Sequence, residues 1–406
     1  MEFNKYKLKD LTVNGKGEYG IGAPAVKYSP NLYKYLRITD IDDNGFINTN
    51  QMKSINDKNE EKYLLKANDI VFARTGNSTG KSYFYNSDDG PLVYAGFLIK
   101  FSLDPTKLNP KYLRYYTLTN EYKGWVNQFS IGSTRKNINA KIFGDMVISL
   151  PPRYYQDFVV NILDSLERKV KINKQMVANL EELSQILFKR WFIDFEFPNE
   201  EGVPYKSSGG EMIDSEIGEI PKGWEISKLD KIINIKSGKR PRNKVNIMDN
   251  KNKTPIIGAS KIMGYTSDYL ESEPILVMGR VGTHGVIQRF NNNVWPSDNT
   301  FIIKSKFMIY TYFILINIDY KSLNRGSTQP LLSQKDIKNI NIIIPKSDSL
   351  IVKYEEITNI YFKEIDVIKD QISYLIELRD TLLSKLMSGE LEIPNNIEVN
   401  TDELSI

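Results

Sequence analysis

The chain repeats itself, and no other property limits its fold as much. Gly132-Ser133-Thr134 returns as Gly326-Ser327-Thr328, 194 residues later. Each is followed by an apolar strand pattern ending in proline, at 146–151 and 340–345, and the two prolines are again 194 apart. A long helical pattern follows each proline. In the first, Leu166, Val170, Asn173, Val177, Leu180, Ser184 and Leu187 fall at alternating steps of four and three, the seam of a coiled coil. At an offset of 195 the seam returns as Tyr361, Ile365, Ile368, Ile372, Leu375, Arg379 and Leu382, with its polar member in the same place. Leu-x-Glu-Leu at 180–183 likewise returns at 375–378. The chain is therefore duplicated, each copy a strand-rich domain followed by a helix of roughly 40 residues, about 60 Å long. Narrow seams on helices this long predict that the two helices pair, and Asn173 would oppose slippage.

Within the domains, Asp69–Ala73 and residues 274–278 read as strands, each leading into a turn with arginine: Arg74-Thr75-Gly76 and Arg280-Val281-Gly282. Asp88-Asp89-Gly90 and Asn291-Asn292-Asn293 read as turns, and 109–123 and 305–319 as helical. The fold expected is α+β: two mixed, strand-rich domains separated by two long antiparallel helices in a coiled coil, with pseudo-two-fold internal duplication. The boundaries expected are a first domain at 1–150, a helix at 151–197, an acidic linker at 198–222, a second domain at 223–345, a second helix at 346–390 and an acidic tail at 391–406. The linker, with Pro198, Pro204, Pro221 and Ser207-Ser208-Gly209-Gly210, reads as extended.

Composition excludes much. The 406 residues include no Cys and one His, which removes disulfides, thiol nucleophiles and Cys/His zinc sites, and leaves only His284 for any catalytic triad. The N-terminus MEFNKYKLKD has no apolar signal core, and the apolar run 307–318 is too short to span a bilayer. The net charge of +4 hides an asymmetry. Residues 194–219 hold eight acids and one base, and 390–406 five acids and no base, so the remainder carries 53 bases and 37 acids. That basic surface suits a polyanion.

Three strings imitate enzyme motifs. Gly15 to Gly20 fits GxGxxG, but Ile21-Gly22-Ala23-Pro24 follows in place of a helix. Thr75 to Ser82, TGNSTGKS, resembles a P-loop, yet Tyr83-Phe84-Tyr85 continues as strand. Leu150-Pro151-Pro152-Arg153 lacks the amide and the aromatic with which an adenine methyltransferase holds a flipped base. The residues suited to function are basic and polar, lie in turns and occur in both copies. In the first these are Arg74, Thr75, Lys81, Ser133, Thr134, Arg135 and Lys136. In the second they are Lys236, Lys239, Arg240, Arg242, Lys244, Arg280, His284, Arg325, Ser327, Thr328 and Gln329. Arginine reads guanine bidentately, glutamine reads adenine, and Ser, Thr and Lys hold phosphates.

Two further stretches flank the linker. Phe188-Lys189-Arg190-Trp191-Phe192-Ile193-Asp194-Phe195 precedes it, and Gly218-Glu219-Ile220-Pro221-Lys222-Gly223-Trp224-Glu225 with LDKIINIKSGKRP at 229–241 follows. With the paired GST loops and the duplicated helix, they make nearly the whole chain resemble a type I restriction–modification specificity subunit. The first half departs from that pattern, starting at Tyr6-Lys7-Leu8 with neither a Gly-Trp pair nor a Ser-Gly-x-x-Pro turn. The resemblance implies a non-catalytic DNA-recognition subunit, cytoplasmic in a bacterium or archaeon. Each recognition domain would read one half of a split, asymmetric site on double-stranded DNA, and the helices would fix the gap and dock two modification subunits. Those subunits would bind S-adenosylmethionine and methylate adenine. Restriction subunits would join them, using ATP and Mg²⁺, and this chain itself would bind no cofactor or metal. A 60 Å spacer bounds the gap at about 18 base pairs. Arg135 faces Gln329 in the repeat, so the two half-sites should differ. Two other readings are a methyltransferase or nuclease with its own recognition domains, which would bind S-adenosylmethionine, and a protein-only coiled-coil adaptor, which would not bind DNA.

Overall fold

The computed structural model describes residues 2–129, 137–280, 285–320 and 332–391. The chain divides into two compact units, residues 1–172 with 371–406, and residues 173–370.

The first unit has nine strands: β1 (Asn4–Lys7), β2 (Glu18–Tyr19), β3 (Lys34–Leu36), β4 (Lys53–Ser54), β5 (Asp69–Ala73), β6 (Ser82–Phe84), β7 (Leu92–Tyr94), β8 (Leu98–Ser102) and β9 (Val147–Leu150). They form an antiparallel sheet in the order β2-β8-β5-β6, a small sheet β4-β3-β7 in which β3 and β7 are parallel, and the pair β1-β9. In the second unit β10 (Met212–Ile213) and β11 (Ile220–Pro221) form a short pair. Then come β12 (Trp224–Lys228), β13 (Asn234–Ser237), β14 (Thr254–Ile257), β15 (Ile262–Thr266), β16 (Ile275–Gly279), β17 (Ile287–Phe290), β18 (Trp295–Pro296), β19 (Thr300–Lys304) and β20 (Asn341–Pro345). Their sheets are β13-β19-β16-β17, β15-β14-β18 and β12-β20, with β14 parallel to β18. Each strand of the first unit thus has its counterpart eleven strands later. The central strands β5 and β16 are buried at every residue, which accounts for the apolar runs 70–73 and 275–279; the one charged member, Asp69, accepts from the Ser102 hydroxyl and the Lys66 N–H. In the first unit an aromatic core of Phe72, Phe101, Tyr122 and Phe143 packs beneath the sheet.

The stretch 109–123 contains two helices. Asn109 caps α1 (Pro110–Tyr116), whose first residue is proline. The chain breaks at Thr117 and Leu118, and the Thr119 hydroxyl caps α2 (Asn120–Gln128). After α3 (Ala140–Gly144) comes the long helix α4 (Arg153–Phe188), 36 residues ending in a π-helical turn, Lys189–Ile193. In the second unit α5 (Met308–Ile316) and α6 (Gln334–Lys338) precede α7 (Ser349–Met387), 39 residues long. In the first unit the start of α4 lies against the end of α7, where the Tyr155 hydroxyl donates to the Leu386 carbonyl at 3.0 Å. In the second unit the end of α4 lies against the start of α7. There the Tyr354 hydroxyl donates to the Ser184 carbonyl at 3.0 Å, and Lys369 pairs with Glu181 at 3.0 Å. Val170, Asn173, Val177, Ile365 and Ile368 are buried, whereas Leu166, Leu180, Leu187, Tyr361, Ile372, Leu375 and Leu382 are half-buried.

The helical copies are out of strict register. Gln156 accepts the Asn109 N–H, and Glu355 accepts the Tyr310 N–H, at the start of matching helices. That equivalence is an offset of 199, against 195 along the seam. The difference of four residues amounts to a stutter of about one turn.

Ion pairs hold each strand-rich domain to the long helix of its own unit. In the first, Arg114 grips Glu167 through two hydrogen bonds of 2.6 and 3.0 Å, and Lys111 and the Tyr115 hydroxyl both engage Asp164. Burial works against the charge on Arg114, but the Glu167 carboxylate outweighs it and holds the guanidinium above its ordinary range. In the second, Arg289 and Asn291 both reach Asp366, and Arg289 lies 4.7 Å over the Phe362 ring. The linker is less extended than its composition suggests. Phe197 stacks between Tyr205 and Trp224, and Pro198 bridges to Pro204. The aromatic residues anchor what the prolines and acids alone would leave open.

Candidate nucleic-acid interface

In both units the described part of the candidate site lies at one end of the four-stranded sheet, where the turn after β2 or β13 and the turn carrying Arg74 or Arg280 meet the turn before β8 or β19. The first turn leaves β2 or β13. A Cβ on Gly20 would lie 2.3 Å from the Tyr94 and Ala95 carbonyl oxygens, and one on Gly238 would lie 2.2 Å from that of Ser297. Only glycine permits these crossings. Gly20 N–H donates to Leu98, and Gly238 N–H to Thr300, the first residues of β8 and β19. Gly20-Ile21-Gly22-Ala23-Pro24 therefore stands where the second unit has Gly238-Lys239-Arg240-Pro241. Gly20 was lost to sequence reasoning as the end of a false GxGxxG, because its proline comes one residue later.

The second turn carries the arginines. Arg74 N–H donates to the Phe97 carbonyl and the Arg74 carbonyl accepts from Ile138; Arg280 N–H donates to Asn299 and its carbonyl accepts from Leu332. The two arginines are equivalent, and each is pinned to the chain on both sides. The Arg74 guanidinium lies 5.0 Å over the Tyr19 ring, and that of Arg280 5.6 Å over the Phe301 ring. Arg280 Nε is buried with no hydrogen-bond partner among the described residues. Such an unmet donor suits a ligand that brings acceptors. Ser133, Thr134, Arg135, Lys136, His284, Arg325, Ser327, Thr328 and Gln329 lie outside the described residues. The described residues after the two GST motifs, Asn137–Ile138 and Leu332, meet the arginines.

The remaining bases divide by environment. Lys81 is half-buried and pairs with Asp43 at 2.9 Å, holding that carboxyl below its usual range. Thr75 bridges to Asn137. Lys236 pairs with Glu271, which Lys304 also approaches at 3.0 Å. Burial pushes the Glu271 carboxyl up, but the two ammonium groups more than offset it. Lys236 is thereby bound into its own domain. Lys239, Arg240, Arg242 and Lys244 are exposed and have no ion-pair partner among the described residues. Arg240, Arg242 and Lys244 line a cleft of about 580 Å³ with Ser297, Asp298 and Asn299. Pro241, Ile256 and Met263 also line it, and its three cations can hold an anionic backbone beside Ser297 and Asn299, which are able to contact bases. No described helix is long and apolar enough to cross a membrane.

Comparison with known proteins agrees across sequence and fold. The type I restriction modification DNA specificity domain matches residues 1–182 and 221–374. The chain is 27% identical to the type I restriction enzyme MjaIX specificity subunit of Methanocaldococcus jannaschii, over 70% of this chain and 69% of that one. It is 21% identical to the type I restriction enzyme HindI specificity subunit of Haemophilus influenzae, over 96% and 100%. Its fold is similar to the crystal structure of the type I restriction–modification S subunit from M. genitalium, with a TM-score of 0.58 at 16% identity, covering 95% and 96%.

Proposed function

The chain belongs to the type I restriction modification DNA specificity family, and from that premise we propose that its two units read the two halves of one bipartite DNA site. As a specificity subunit it is not an enzyme; the chemistry resides in partner subunits. The observation that carries the reading is the duplicated edge, with Arg74 and Arg280 pinned at the same point of the same topology. Identical scaffolds position two tips, while the tips differ: the second carries Lys239, Arg240, Arg242 and Lys244 where the first carries an uncharged turn. Different tips on like scaffolds suit an asymmetric site. Two heads on a spacer bind tightly only when both half-sites lie at the matching distance. The long helices serve as that spacer.

The helices also dock the modification subunits. Met176, Leu183, Ile186 and Ile193 stay exposed on α4 and its last turn at heptad spacing, with Ile360 and Val367 exposed on α7. Such a stripe suits a protein partner. The partner subunits supply S-adenosylmethionine, ATP and Mg²⁺, and this chain holds none of them. The test is the methylome of a bacterial host expressing this chain with its methyltransferase partner, beside a host without this chain. A bipartite adenine-methylation motif that depends on the chain is expected. Its absence, with both proteins expressed and folded, overturns the proposal.

A further inference from the structure

The turn between β7 and β8 shares three backbone hydrogen bonds with the one between β18 and β19, while its side chains differ: Ala95, Gly96 and Phe97 stand where the second unit has Ser297, Asp298 and Asn299. In the first unit Leu98 N–H donates to Ala95, Ala95 N–H to Leu36, and the Phe97 carbonyl accepts from Arg74. In the second, Thr300 N–H donates to Ser297, Ser297 N–H to Ile257, and the Asn299 carbonyl accepts from Arg280. Phe97 and Asn299 therefore occupy one backbone position, locked to the arginine that each recognition edge presents. Gly96 N–H adds a bond of 2.7 Å to Ile21, so the turn in the first unit is also tied to the glycine crossing.

The two side chains differ in chemistry. Phe97 is 61% exposed, the most exposed phenylalanine among the described residues. A phenyl ring gains about 2 kcal/mol when covered, yet this one stands in solvent on a turn with little freedom to fold it away. Asn299 is also exposed and lines the cationic cleft with Arg240 and Arg242. In a major groove an apolar side chain contacts the thymine methyl, and an asparagine bonds adenine N6 and N7.

We propose that Phe97 and Asn299 are specificity-determining residues of their respective half-sites, Phe97 against a thymine methyl and Asn299 against an adenine. The proposal rests on the bipartite reading above. Both side chains are exposed, so substitution leaves the cores intact.

The test compares the methylomes of hosts expressing the complex with wild-type chain, Phe97→Asn or Asn299→Phe. Phe97→Asn is expected to change one position of one half-site, leaving the other half and the gap unchanged; Asn299→Phe should do the same to the opposite half. With purified complex, uracil in place of the contacted thymine should weaken binding about fourfold, the worth of one buried methyl. That loss should vanish in Phe97→Asn. Unchanged motifs in both variants overturn the proposal. So does a loss of methylation that is uniform across sequences, which would make the phenyl ring a wedge between base steps rather than a reader. If the wild-type complex yields no bipartite motif, the broader reading falls first and this one with it.

Discussion

The junction between α1 and α4 offers a sharp energetic test. Arg114 and Glu167 are 13% and 14% exposed and share two hydrogen bonds, and Arg114 also lies about 5 Å from the rings of Phe46 and Tyr115. An exposed ion pair couples by at most about 1 kcal/mol. Removing one partner of a buried pair costs about 3–5 kcal/mol, because the other charge is left without water or counter-ion. With most of both side chains covered, Arg114→Ala should destabilise the first unit by about 3 kcal/mol, part of it from the lost cation–π contacts. The cycle Arg114→Ala, Glu167→Ala and the double variant should show a coupling of about 2 kcal/mol. The chain has two units, so a single global midpoint is poorly defined. Hydrogen exchange of the α1 amides as a function of urea isolates the relevant opening. A loss below about 1 kcal/mol, or a coupling near zero, would show that the pair is screened and that packing alone holds the domain on its helix.

Glu355 should make stability depend on pH. Burial raises its carboxyl above the usual range, against the N–H groups of Tyr310 and Ile309. The folded chain then keeps the proton to higher pH than the unfolded one, so this contribution is full below the unfolded pKa and falls as pH rises through the folded pKa. Glu355→Gln keeps an acceptor, as Gln156 does at the matching position, and should raise the melting temperature at pH 7 but not at pH 4. A lower melting temperature at pH 7 would refute this. Gly238→Ala would put a Cβ against the Ser297 carbonyl and should destabilise the second unit by about 3 kcal/mol by urea unfolding. Gly22→Ala, which meets nothing within 4 Å, should change stability by less than about 0.5 kcal/mol. Arg74→Ala and Arg280→Ala should each cost the complex about 1–3 kcal/mol of discrimination at one half-site in competition binding; equal losses on specific and random DNA would reduce them to phosphate contacts.

The repeat was legible where no loop interrupts it. From Leu150 and Ile344 into the seam, the offset between copies stays between 194 and 199. Toward the N-terminus it drifts: 202 at Phe97 and Asn299, 206 at Arg74 and Arg280, 218 at Gly20 and Gly238, and 221 at Leu8 and Leu229. Each drift is a loop of different length, and a search at one offset cannot follow it. β5 and β16 announce themselves because every residue is buried. β2, two residues long, and the parallel pairings β3–β7 and β14–β18 carry no periodicity of their own; non-local pairing alone defines them. The break between α1 and α2 was hidden because Thr119 acts through its cap, which a hydrophobic pattern does not register. At the sheet edge the matching places of Arg74 and Arg280 were readable from the strands that precede them. Phe97 was not, because an exposed phenylalanine in sequence looks like any core residue.

The junctions show what the duplication retains and what it releases. Glu167 and Asp366 occupy the same helix position at an offset of 199, and each meets an arginine, but the arginines come from different elements. In the first unit Arg114 comes from α1, and Phe84 pairs with Ile70 on the strand edge. In the second, Arg289 pairs with Leu276 at the equivalent place, and α5, the counterpart of α1, carries no charged residue. Cation and apolar side chain have exchanged elements while the acid stayed. What both copies keep there is a counter-charge to a carboxylate at the domain–helix contact, 14% exposed at Glu167 and 40% at Asp366, and the burial of the first makes an unpaired charge costly. The route by which the cation arrives is free. The same logic applies at the duplicated sheet edge. Glycine crossings and backbone bonds are kept because sterics leave no alternative, and the side chains they carry, Phe97 and Asn299 among them, are free to differ between the two heads.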